Sequence, residues 1–137
     1  MVIDTSAIVA LIEAEPTSEA LLLAIQSDEQ RLVSAVSVLE AGIVLESRRP
    51  TSGRAALDRL LEALSIEIVP FDADQLARAR DGFRRFGRGR SAKARLNFGD
   101  CCSYALPAAR HTSRYTIQHA TPVALKYAEN GGGHEPA

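Results

Sequence analysis

The sequence predicts an α/β fold, a three-layer α/β/α sandwich around a short parallel sheet. Two observations carry this. Short apolar, β-prone runs at 1–3, 32–33 and 66–69 alternate with longer stretches of helical periodicity, and strands separated by helices build parallel β-α units. With 137 residues, 46% hydrophobic and 24% charged, the chain is also the size and composition of one globular domain able to bury a core. A single domain is expected over 1–129, atypical from 107 onward, with a disordered tail at 130–137 that begins in a run of three glycines.

The elements follow in order. Met1, Val2 and Ile3 form a first strand ending at Asp4, after which Thr5 or Ser6 caps a helix with Ile8, Val9, Leu11 and Ile12 on its apolar face. Pro16 and Thr17 open a second helix through Leu21, Leu22 and Ile25. Leu32 and Val33 read as a buried strand, followed by a long helix that begins at Ser34 or Ser37 and is stopped by Pro50. Leu57, Leu60, Leu61 and Leu64 give a fourth helix, capped by Thr51, and 66–69 a third strand. Asp72 with Gln75 spells a capping box for a helix whose face is Leu76, Ala79 and Phe83. A Gly- and Arg-rich loop at 87–95 leads to a helix capped by Asn97 and carrying Asp100, Cys101 and Tyr104.

Several function classes are excluded early. No apolar run approaches the ~20 residues that span a bilayer. Asp4 interrupts the apolar start, so a secretory leader is not expected and a cytoplasmic location without membrane is. The two cysteines, Cys101 and Cys102, are adjacent and suit buried free thiols rather than a disulfide framework or a spaced zinc site. No G-x-x-x-x-G-K-[ST] run offers a P-loop. Dehalogenase-type phosphatases need a second Asp two places after the first, where this chain has Ser6, and receiver domains need adjacent acids.

Charge is divided unevenly. Residues 1–83 sum to −7 and residues 84–137 to +6, within a formal net charge of −1. Arg84, Arg85, Arg88, Arg90, Lys93 and Arg95 form a basic block with no acid among them, suited to a phosphate backbone or to a plain solvated loop. Three acids stand where chemistry is possible. Asp4 follows a strand, at the carboxyl edge where open α/β sheets place their sites. Glu40 lies in an apolar stretch and needs a partner or a metal, although Ser37 and Glu40 also spell a capping box. Asp100 sits three residues after Asn97, early in a helix, where the macrodipole favours an anion.

Together these motifs resemble the PIN-domain nucleases, and within them the VapC-like toxins of bacterial toxin–antitoxin pairs. The carriers are M-V-I-D-T-S-A-I-V-A-L at 1–11, the stretch R-L-V-S-A-V-S-V-L-E-A-G-I-V-L-E-S-R at 31–48, I-E-I-V-P-F-D at 66–72 and R-L-N-F-G-D-C at 95–101. The resemblance covers residues 1–106. It implies a metal-dependent endoribonuclease in which Asp4, Glu40 and Asp100 hold Mg²⁺ or Mn²⁺, with Glu40 completing the shell or placing the attacking water. It also implies arginines of 84–95 on the RNA backbone, a VapB-like antitoxin and a homodimer.

The chain departs from the family after Leu106. Pro107 falls inside an expected helix, and 107–137 contain no aspartate where the family supplies a fourth carboxylate. Residues 114–119 are the candidate for the missing strand, which would put His119 near the lost acid, although surface histidine is the simpler reading of His111 and His119. The alternative function is therefore a PIN-like domain that binds antitoxin and RNA without cleaving.

Overall fold

Which face each strand residue meets decides the layers. In the computed structural model the described residues are 1–89, 95–109 and 117–118. They form β1 (Val2–Ile3), α1 (Thr5–Ile12), α2 (Ser18–Ser27), β2 (Leu32–Ser34), α3 (Ala35–Arg48), α4 (Gly53–Ala63), β3 (Glu67–Val69), α5 (Ala73–Phe86), α6 (Phe98–Ala109) and β4 (Ile117–Gln118). The sheet is parallel, in the order β3-β2-β1-β4, with Val2 opposite Leu32 and Ile3 opposite Val33. Successive side chains point to opposite faces. Ile3 and Val33 accordingly join Ala7, Ile8, Ile25, Ala41, Leu45 and Leu57 in one core with α1 to α4, whereas Val2, Leu32 and Val69 meet Leu106 of α6 on the other. Two faces covered by helices give the expected three layers.

The expected last strand is present in part. Ile117 and Gln118 pair with Val2 and Ile3, inside the 114–119 window and beside β1. α6 runs through Pro107 to Ala109, because a proline so close to a helix end removes only one bond of the final turn. His111, His119 and the 130–137 tail lie outside the described residues.

Several local readings are corrected. α1 is capped by Asp4 itself, whose Oδ1 accepts from the Ala7 amide at 3.0 Å, and not by Thr5 or Ser6. α3 starts from Ser34, which leaves Ser37 inside the helix and no capping box for Glu40. Ser52, not Thr51, precedes α4, and its side chain makes no cap bond. Asp72 accepts from the Gln75 amide at 2.8 Å, but Gln75 Oε1 is buried with no partner among the described residues, so only half of that box forms. The inner face of α5 is Gln75, Ala79 and Gly82, with Leu76 and Phe83 substantially exposed.

Close approach explains one glycine. A Cβ on Gly53 would stand 2.4 Å from the carbonyl oxygen of Leu45, where α4 begins against the end of α3. Gly53→Ala should destabilise the fold by about 1–3 kcal/mol through overpacking. A urea midpoint equal to that of the parent would show that the turn can move aside.

Candidate active site

The carboxyl edge of the sheet gathers the acids through their neighbours. Asp4 ends β1 and is 5% exposed; besides the Ala7 amide, its carboxylate accepts from the Ser6 hydroxyl at 3.0 and 3.2 Å. Because Asp4 takes the capping role, the Thr5 hydroxyl is spared and donates to Glu40 Oε2 at 2.6 Å, crossing from α1 to α3. Glu40 Oε2 in turn lies beside Gly99: a Cβ there would come within 2.7 Å of it. Gly99 precedes Asp100, which forms a full capping box with Asn97. The Asn97 amide donates to Asp100 Oδ2 at 2.8 Å and the Asp100 amide to Asn97 Oδ1 at 2.9 Å. The positive end of the α6 dipole thus faces both Glu40 and Asp100.

The structure holds no metal, and the acids stand in their metal-free arrangement. Among the described residues no three His, Cys, Asp or Glu side chains are grouped closely enough to hold an ion. Asp4 and Asp100 accept from amides of their own helix ends, and Glu40 accepts from Thr5 of α1. The donors nevertheless suit a hard cation in kind, being carboxylate and hydroxyl oxygens. The hydroxyls of Ser37 and Ser103, fully buried and without a hydrogen-bond partner among the described residues, stand one helical turn from Glu40 and Asp100.

The sequence reading passed over Thr5 as a ligand of Glu40, and Gly99 altogether. A signal existed for each. With Asp4 as cap, D-T-S leaves Thr5 without a local task, and a glycine in the first turn of a helix serves no propensity.

The basic block is only partly a free cationic surface. Arg84 and Arg85 pair with Asp81, one turn back, at 2.6 and 3.6 Å, and Arg85 also covers the Phe86 ring at 5.2 Å. The Arg84 hydrogen bond holds the Asp81 carboxyl below its usual range. The block therefore does have an acid beside it. Arg88 and Arg95 are exposed on either side of a parallel bridge between Gly87 and Leu96, and Arg90 and Lys93 lie outside the described residues.

Comparison with known proteins now decides the family. The sequence pattern of the PIN domain matches residues 1–114. The chain belongs to the PIN domain family. Within that family, this PIN domain is 49% identical over 106 residues to Ribonuclease VapC of Mycolicibacterium smegmatis, covering 77% of this chain and 81% of that protein. It is 43% identical over 106 residues to Ribonuclease VapC30 of Mycobacterium tuberculosis, with 77% and 80% covered. VapC20 of Mycobacterium tuberculosis, described as a sarcin–ricin loop cleaving toxin, shares the PIN fold at a TM-score of 0.65 and 16% identity, over 87% of this chain and 89% of that one.

Both cysteines of this PIN domain are buried and reduced. Burial first, then the charge of Asp100 and the neighbouring Cys102, push the Cys101 thiol up to about 11 from 9.0. Burial and the charge of Glu40 raise Cys102 as well. A thiol whose folded value lies above its unfolded one contributes stability that is complete below pH 9 and is lost as pH rises toward 11. Urea midpoints should therefore fall between pH 9 and 11, by less in Cys101→Ala. Equal falls in parent and variant would place the titration elsewhere.

Proposed function

We propose that this PIN domain is the toxin of a type II toxin–antitoxin pair and an endoribonuclease that cuts RNA phosphodiester bonds. The observation that carries the reading is the 49% identity, over 77% of the chain, to a protein named a VapC ribonuclease. The edge described above agrees with it in chemistry, since it carries carboxylates after a strand, within α3 and in the first turn of α6, at the carboxyl side of a parallel sheet where open α/β folds bind their ligands.

Asp4, Glu40 and Asp100 are the residues that would hold Mg²⁺ or Mn²⁺, exchanging their present donors for the cation. When bound, such an ion supplies a water of lowered pKa and positive charge at the scissile phosphate. The remaining work belongs to the chain. Glu40, held from α1, orients the attacking water. Arg84, Arg85, Arg88, Arg90, Lys93 and Arg95 hold the RNA backbone by charge, without reading its sequence.

The partner is a VapB-like antitoxin, and the assembled toxin is a homodimer. Leu39 and Ile43, on either side of Glu40 along α3, are 64% and 61% exposed, which suits an apolar antitoxin segment lying beside the acids.

Asp4→Asn, Glu40→Gln and Asp100→Asn should each lower Mn²⁺-dependent cleavage of RNA by about 100-fold or more while keeping the fold, since asparagine still caps α1. A parent chain that binds RNA and leaves it intact in Mn²⁺ would make the protein a binder instead.

Replacing Arg88, Arg90 and Lys93 with Ala should weaken RNA binding and flatten its dependence on salt, at unchanged Mn²⁺ affinity. An unaltered slope of log K against log salt would return this segment to plain loop.

A further inference from the structure

We propose that Thr5 and Gly99 are the positioning residues for Glu40, Thr5 by holding its Oε2 and Gly99 by leaving that oxygen the space it occupies. This rests on the reading that Glu40 takes part in RNA cleavage. Glutamate has three rotatable side-chain bonds, and Glu40 lies on α3, six residues in from the helix start, where no capping contact fixes it. Its carboxylate therefore needs an external restraint to keep one orientation. Two come from different elements.

The first is the hydroxyl of Thr5, which donates to Oε2 at 2.6 Å. Hydrogen bonds to a charged acceptor are the stronger kind, and Thr5 is half-buried, so water competes poorly for the proton. A second acceptor, the carbonyl of Ser37, is more distant at 3.4 Å. The second restraint is steric. Gly99 has an ordinary helical setting on α6, with no positive φ to demand a glycine. What demands it is the Glu40 carboxylate, 2.7 Å from the place of a Cβ, with the Asn97 carboxamide oxygen at 3.5 Å. Alanine there would drive Oε2 off the first turn of α6 and out of its place beside Thr5. D-T-S and N-F-G-D thus act on one carboxylate oxygen from two different elements.

The test uses the full chain and five variants: Thr5→Val, Thr5→Ser, Gly99→Ala, Glu40→Gln, and Thr5→Val combined with Glu40→Gln. Thr5→Val should lower kcat for Mn²⁺-dependent RNA cleavage by about 10- to 100-fold with KM little changed, and Thr5→Ser, which keeps the donor, should restore most of it. Gly99→Ala should lower kcat similarly while its melting temperature holds or rises, because alanine is the better helix former. Urea unfolding of the metal-free proteins supplies a readout independent of cleavage. If the hydrogen bond exists, the effects of Thr5→Val and Glu40→Gln on stability are strongly non-additive. Additive stabilities overturn the restraint whatever the activity. Full kcat in Thr5→Val and Gly99→Ala beside an inactive Glu40→Gln overturns the positioning role alone. Full kcat in Glu40→Gln overturns the reading of Glu40 itself, and the positioning role with it.

Discussion

The burial of Val2 and Ile3 on opposite faces of β1 is the contact on which both helical layers depend. Each is fully buried, one against the α1–α4 layer and the other toward α6. A strand of two residues has no length to spare, so a slip by one position would exchange the faces and expose both cores at once. The pairing of β1 with β2 on one side and β4 on the other fixes that register. Asp4 inherits its place from it. Wherever Ile3 points into the core, the next residue emerges at the sheet edge and starts α1.

Economy of hydrogen bonding then shapes the edge. Helix ends present amides with no partner, and short polar side chains satisfy them. Asp4 does this for α1, and Asn97 with Asp100 does it for α6. The acids are therefore structural groups even before any chemistry is asked of them. Glu40 is the exception, since it caps nothing and is held from another element.

Most of the fold was legible because its signals are local. The three strand-like runs, the proline after α3 and the asparagine before α6 all act within a few residues of where they stand. The misread positions depend on neighbours distant in sequence. Ser34 and Ser37 both satisfy the pattern of a cap, and only the end of β2 at Ser34 chooses between them. Leu76 and Phe83 match helical spacing, yet α6 packs where α5 is small, with the Tyr104 ring against Gly82. At the site, the identities of the acids could be read from motifs, because each lies in a distinctive local string. Their mutual arrangement could not, since the bond from Thr5 to Glu40 joins residues 35 apart.

That separation has a consequence in time. Asp4, Glu40 and Asp100 are synthesised in that order, the last with nearly three quarters of the 137 residues already made. Synthesis proceeds at ~5–20 residues per second, so seconds pass between the first acid and the third. Until α6 docks on the sheet, the side of Glu40 that meets Gly99 has no wall and the edge is incomplete. A nascent chain therefore carries the acids before it has their arrangement.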